Sequence, residues 1–230
     1  MTMQQLVLDM GLASAPSFDN FLTDEHSELL AHLRLWTGNP KRSPVPTLLW
    51  GDGGCGKTHL LRAVQAQALA QGEAVGWLDA SVRFPPAFDE RWNLVLMDDC
   101  HLYTAEQQAA AFNWFVNAQT PASGPARWVL ATADRPPADL AVREDLRTRL
   151  GWGHVFALPA LNEADRRRVL RRAADERGVF LSDDVMDYML NRFSRDLSSL
   201  MALLDQLDGY ALRTQRPITI PLLRAMLDNT

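Results

Sequence analysis

Between the apolar tetrapeptide Thr47-Leu48-Leu49-Trp50 and a helix-forming run from Thr58 to Gln71 stands Gly51-Asp52-Gly53-Gly54-Cys55-Gly56-Lys57-Thr58. This octapeptide fits G-x-x-x-x-G-K-[ST], a strand-to-helix turn whose glycines let consecutive backbone N–H groups converge on phosphate oxygens. Lys57 supplies a point charge for the β- and γ-phosphates, and the Thr58 hydroxyl is placed to ligate Mg²⁺. The spacing therefore predicts a buried strand, a phosphate loop and a helix in sequence, with ATP or ADP as the ligand.

The chain is 230 residues long, enough for one sizeable domain, or one domain and a small appendage. Its hydrophobic content of 47% and charged content of 22% are those of an ordinary globular protein. The net charge of −5 argues against a domain that holds nucleic acid by itself, since such domains carry a basic excess. No apolar run reaches the ~20 residues of a membrane span, and no basic-then-apolar leader opens the chain. Cys55 and Cys100 lack metal-ligand spacing. The expected setting is the reducing cytoplasm, with no membrane partner.

Helical spacing of Leu29, Leu30, Leu33 and Trp36 predicts a helix from Thr23 to Trp36. Further strands are expected at Ala74–Leu78, Leu94–Met97, Trp128–Ala131 and His154–Leu158. The third of the five strands is apolar throughout, as in a buried parallel sheet. Thr104 with Gln107 forms a capping-box pattern for a helix reaching about Ala118. After Pro159 the pattern is helical only, with Asn162 and Ser182 as N-caps and Pro221 in the first turn of the last helix. The expected fold is α/β, a parallel sheet flanked by helices, followed by a small all-helical domain. Three parts are expected: an N-terminal segment 1–12, a nucleotide-binding domain 13–159 and a helical domain 160–230.

Asp98 and Asp99 follow an apolar strand, where sheets of this kind bind their ligands. Asp98 suits Mg²⁺ through its water shell, and Asp99 suits orienting or deprotonating an attacking water. Asp134 ends the next strand, where it could sense a γ-phosphate or merely cap a turn before Pro136-Pro137. Arg143, Arg147 and Arg149 lie on a short predicted helix closed by Gly151, and spacing alone leaves them a solvated face. Arg195 sits in a first helical turn, where a cation opposes the helix dipole unless it faces an anion. Arg166, Arg167, Arg168, Arg171 and Arg172 crowd one helix among interspersed acids. They form either a patch for nucleic acid or an acidic partner, or an ion-paired solvated face. Gln5, Leu6, Leu8 and Met10 lack helical period; extended, the three apolar side chains share one side and would need a partner surface. An edge strand or a frayed end is the alternative.

Together these segments resemble the AAA+ ATPases of the bacterial DnaA family, over nearly the whole chain, and within it the regulatory branch that inactivates the initiator. Ser17-Phe18-Asp19-Asn20-Phe21 is similar to the entry motif, which implies that Phe18 and Phe21 border the adenine pocket. Asp98-Asp99 matches the family's Walker B, Thr132-Ala133-Asp134-Arg135 its sensor-1 segment, and Arg195-Asp196 its sensor-2 arginine with the following acid. Arg147-Thr148-Arg149-Leu150-Gly151-Trp152-Gly153 resembles the arginine-finger box, which puts Arg149 on the finger position. Gln5-Leu6-Val7-Leu8-Asp9-Met10 resembles the branch's hexapeptide for the sliding clamp, the β subunit of DNA polymerase III. Asp9 stands there in place of proline and Met10 in place of leucine. The chain's last residue, Thr230, is expected to leave out the helix-turn-helix domain that reads origin DNA.

The resemblance implies a regulator that reaches DNA through the clamp and promotes hydrolysis of ATP on DnaA. Its partners are then DnaA and the clamp; a homo-oligomer and turnover at its own site are left open. The competing readings are a helicase loader or other DnaA-like ATPase acting on DNA, and a non-hydrolytic clamp adaptor whose nucleotide is structural.

Overall fold

The computed structural model describes residues 15–21, 27–39, 41–193 and 197–228. These divide into two compact units, one spanning Pro16–Ala160 and the other taking in the residues from Leu161 onward.

In the first unit the elements run α1 (Ser27–Gly38), β1 (Thr47–Trp50), α2 (Lys57–Ala70), β2 (Val75–Leu78), β3 (Leu94–Met97), α3 (Ala105–Gln119), β4 (Trp128–Ala133), α4 (Glu144–Leu150) and β5 (His154–Ala157). The five strands form one sheet in the order β2-β3-β4-β1-β5, with every pairing parallel. All four residues of β3 and all six of β4 are buried, as expected where helices cover both faces. Leu49, Leu60, Leu61, Val64 and Trp128 build the core on one face, and Leu48, Val95, Met97, Trp114 and Phe115 build it on the other. Because the strands are parallel, the turns after β1, β3 and β4 emerge at one edge.

Local chemistry explains the boundaries. The α2 C-terminus stops at Gly72, whose positive φ of 78° lets the Glu73 N–H reach back to the Ala68 carbonyl. At α3 the reciprocal capping box forms: the Gln107 N–H donates to the Thr104 hydroxyl and the Thr104 N–H to the Gln107 side chain. Two boundaries differ from the sequence expectation by two residues, the others by at most one. β4 extends two residues beyond Ala131 because Thr132 and Ala133 pair with Leu49 and Trp50 of β1. α1 runs on through Gly38, while the expected start at Thr23 lies outside the described residues.

The second unit is helical: α5 (Glu163–Glu176), α6 (Asp183–Arg192), α7 (Leu197–Thr214) and α8 (Ile220–Asp228). Asn162 caps α5 through the Asp165 N–H, and Ser182 caps α6 through the Val185 N–H. Their apolar faces meet in a core of Leu170, Val185, Met189, Leu204, Leu207 and Leu223. Among the described residues no helix is long and apolar enough to cross a membrane.

Candidate functional site

The phosphate loop begins as β1 ends, where the Gly51 N–H donates to the Ala133 carbonyl of β4 (3.2 Å). Two glycines are required for different reasons. A Cβ on Gly51 would lie 2.2 Å from the Leu158 carbonyl oxygen, so the backbone approach itself excludes a side chain. Gly56 has φ 99°, and a Cβ there would meet the Phe21 ring at 2.6 Å. Phe21 is thus packed on the loop, and it and Phe18 are buried. The neighbouring His59 ring lies 5.8 Å from Phe21 and places Nε2 3.0 Å from the Ser17 carbonyl. The Lys57 ammonium is buried, and donates to the carbonyls of Gly51 (2.8 Å) and Asp52 (3.0 Å). Those bonds hold the loop around its own lysine at the N-terminus of α2.

Asp98 and Asp99 follow β3. Asp98 is 5% exposed, and the Thr132 hydroxyl donates to its Oδ1 (2.7 Å). Burial pushes the Asp98 carboxyl above its ordinary pKa, while the hydroxyls of Thr132 and Thr58 pull it back down. Arg62 also lowers it, but forms its own ion pair with Asp79 (4.0 Å). A buried carboxylate facing a threonine hydroxyl at the head of a phosphate loop is a donor set that fits Mg²⁺, which takes few protein oxygens and completes its shell with phosphates and water. Cys100 stays a thiol, pushed up to about 12 by burial, and burial also raises Cys55.

Asp99 occupies the left-handed region (φ 47°, ψ 54°), a strained conformation for a residue with a side chain. The strain is held by its N–H, which donates to the same Thr132 hydroxyl (2.7 Å). Thr132 therefore joins both acids, whereas the sequence pattern placed it only in the segment whose sensing position is Asp134. The available signal was a polar residue inside an otherwise apolar strand. His101 is a second residue that reasoning missed: its Nδ1 lies 4.0 Å from an Asp99 oxygen and 3.9 Å from an Asp134 oxygen. That nitrogen is buried and, among the described residues, has no hydrogen-bond partner. Asp134 otherwise meets Arg135 (3.4 Å).

Arg149 stands apart. Among the described residues it makes no ion pair, and no contact joins it to the phosphate loop, Asp98 or Asp99. Its guanidinium lies 6.0 Å from the Phe112 ring centroid and 5.5 Å from that of Trp152. The α5 arginines are the opposite case. Arg168 bonds Asp165 (2.6 Å), Arg171 bonds Asp183 (2.5 Å), Arg172 bonds Glu176 (3.0 Å) and Arg167 bonds Asp187, while Arg166 donates to the Leu161 carbonyl. Gln5, Leu6, Leu8, Met10 and Arg195 lie outside the described residues.

A parallel sheet in this strand order, with a phosphate loop after β1, acids after β3 and a polar segment after β4, defines the AAA+ class of P-loop proteins. Comparison with known proteins narrows the class. Residues 12–85 match the bacterial DnaA ATPase domain, and residues 163–227 match the lid domain of Hda. An uncharacterized protein of Haemophilus influenzae is 34% identical over 233 residues, covering 98% of this chain and 99% of its own. Domain III of the Thermotoga maritima replication initiation protein DnaA superposes with a TM-score of 0.74 at 17% identity, over 93% of this chain and 95% of that one. The replication initiator DnaA bound to AMPPCP and single-stranded DNA gives 0.64 at 19% identity, over 87% and 68%. The Thermotoga maritima RuvB branch migration motor gives 0.63 at 15% identity, over 93% and 71%. The chain belongs to the DnaA family of AAA+ proteins and resembles Hda.

Proposed function

We propose that this protein is a nucleotide-dependent regulator that, tethered to the sliding clamp on DNA, promotes hydrolysis of ATP bound to DnaA and so restrains initiation of replication. The carrying observation is the pairing of a DnaA ATPase match with an Hda lid match in a chain whose Arg149 has no carboxylate partner among the described residues.

In its own site, the turn from Gly51 to Gly56 cradles the phosphates of ATP or ADP, with Asp52, Gly53, Gly54 and Cys55 contributing backbone N–H groups. Lys57, freed from its carbonyl partners, faces the β- and γ-phosphates. Phe18 and Phe21 wall the base. Thr58 and Asp98 hold Mg²⁺, whose contribution is to neutralise charge on the phosphate oxygens. Asp99 orients water, Asp134 reads the terminal phosphate, and Arg195 couples the nucleotide to the helical domain. The working state holds ADP. Gln5, Leu6, Leu8 and Met10 fit the clamp groove, the glutamine by directed hydrogen bonds and the others by apolar contact.

Arg149 acts in trans. Its guanidinium reaches the γ-phosphate on DnaA and stabilises charge that develops as the bond breaks, an effect worth about 10³–10⁵ in rate when a finger is supplied across a subunit boundary.

The test is hydrolysis of labelled ATP on DnaA with clamp-loaded DNA, comparing the full chain with one lacking residues 1–11. Acceleration that needs both residues 1–11 and the clamp supports the reading. Equal acceleration without the clamp removes the tether, and no acceleration by the full chain removes the function. Binding of a fluorescent ADP analogue that is lost in Lys57→Ala supports the chain's own nucleotide site.

A further inference from the structure

Arg149 has an unusual environment for a side chain whose charge is to be used elsewhere. An arginine that meets a carboxylate is partly neutralised and has its N–H donors occupied. Here the nearby acid Asp145 is already engaged: Arg143 donates to it (2.6 Å), as does the Leu146 N–H (2.8 Å). Arg149 instead lies near two aromatic rings, Phe112 of α3 at 6.0 Å, which Arg143 also approaches at 5.9 Å, and Trp152, just beyond α4, at 5.5 Å. Phe112 is half-buried and packed on the core cluster that includes Trp114, Leu146 and Leu150. Trp152 is 65% exposed, an uncommon position for the largest apolar side chain. A groove of about 670 Å³ is lined by Phe112, Arg143, Glu144, Asp145, Thr148 and Arg149.

An aromatic face attracts a cation through its quadrupole but carries no net charge and accepts no strong hydrogen bond. It can therefore restrict where a guanidinium sits without neutralising it or occupying its donors. We propose that Phe112 and Trp152 are positioning residues for Arg149, an aromatic cradle that aims the guanidinium while keeping its charge available for a phosphate on the neighbouring subunit. The proposal rests on the trans-acting reading of Arg149 and adds how that residue is held. Arg143 has a supporting part: by binding Asp145 it keeps that carboxylate from Arg149.

The experiment measures the maximal rate of stimulated hydrolysis on DnaA, and the protein concentration giving half of it, for Arg149→Ala, Trp152→Phe, Trp152→Glu and Phe112→Leu. Trp152→Phe keeps an aromatic face, and its maximal rate stays within about twofold of wild type. Phe112→Leu keeps the packing volume but loses the quadrupole, and its maximal rate falls about two- to fivefold. Trp152→Glu removes one face and offers a competing carboxylate, and its maximal rate falls about tenfold from the two penalties together. In each case the half-saturating concentration stays constant, because positioning affects the rate and docking affects the concentration.

A Trp152→Glu variant running at the wild-type rate overturns the cradle. So does a series in which only the half-saturating concentration moves, which would make Trp152 a docking side chain. Should Arg149→Ala itself retain full stimulation, the trans-acting reading fails and the cradle with it. That outcome is distinct from loss in Arg149→Ala with no loss in the aromatic variants, which removes the cradle alone. A second measurement is independent of activity: the Arg149 Cδ protons should show ring-current shifts in the NMR spectrum that diminish in Phe112→Leu. Identical Arg149 resonances in the two proteins would contradict the cradle.

Discussion

The two arginine-bearing helices, α4 and α5, treat their cations in opposite ways. On α5 the arginines are crowded, yet four of them meet a carboxylate and Arg166 meets a backbone carbonyl. At the end of that helix Arg177 is likewise paired with Asp205 (2.8 Å). On α4 the arginines are fewer, and Arg149 faces aromatic rings in place of an acid. Density of positive charge is therefore a poor guide to which cation acts on a partner. What matters is whether the fold supplies a carboxylate at home. The α5 cluster is a surface that stabilises its own unit, which weakens the competing reading of it as a DNA-binding face.

Stability measurements can break this contrast, and the largest expected effect lies in the α/β unit. His32 has its pKa lowered to about 4, first by burial and then by the charge of His154, with Thr47 Oγ1 3.1 Å from its Nε2. Trp36 stacks on it at 4.0 Å, and Phe156 lies at 5.0 Å. Since the unfolded histidine binds its proton near pH 6.5 and the folded one only near 4, the unfolded chain holds more protons between those values. The His32 contribution is thus complete above pH 6.5 and lost as the pH falls toward 4. Allowing for the solvent that reaches the ring, the loss should be about 1–2 kcal/mol. Urea unfolding at pH 7 and 4.5 should show a smaller drop for His32→Gln than for wild type; an equal drop would assign the acid sensitivity to other groups.

Smaller effects are expected from the helical unit. Arg171→Ala removes a cross-helix pair to Asp183 and should cost up to about 1 kcal/mol, diminishing as salt is added. Arg172→Ala removes an i,i+4 pair within α5 and should cost about 0.3–0.5 kcal/mol. Arg149→Ala should cost no more than Arg171→Ala, about 0.5–1 kcal/mol, because its half-buried guanidinium loses cation–π contact but, among the described residues, no ion pair. A ranking in which Arg149→Ala destabilises more than Arg171→Ala would mean that Arg149 is structural, and the contrast between the helices would collapse.

These distinctions were only partly visible in the linear sequence. The phosphate loop, the capping box at Thr104 and the caps at Asn162 and Ser182 are local patterns, read within a few residues and formed where expected. The pairs Arg168–Asp165 and Arg172–Glu176 also follow from helical spacing. Arg167–Asp187, Arg171–Asp183 and Arg177–Asp205 do not, because each depends on how neighbouring helices pack. Thr132 gained its place between Asp98 and Asp99 from the parallel register of β3 against β4, which no local pattern encodes. His101 needed the turn after β3 to bring it toward Asp134 as well as Asp99. Likewise, Phe112 and Arg149 are 37 positions apart and meet only because α3 and α4 pack together.

The most direct test compares wild type, Arg149→Ala and Arg168→Ala in hydrolysis of DnaA-bound ATP with clamp-loaded DNA. The account predicts that Arg149→Ala loses stimulation by a factor on the order of 10³, while Arg168→Ala, whose charge is already neutralised by Asp165, stays within about twofold of wild type. Full stimulation by Arg149→Ala, or an equal loss in both variants, would contradict it.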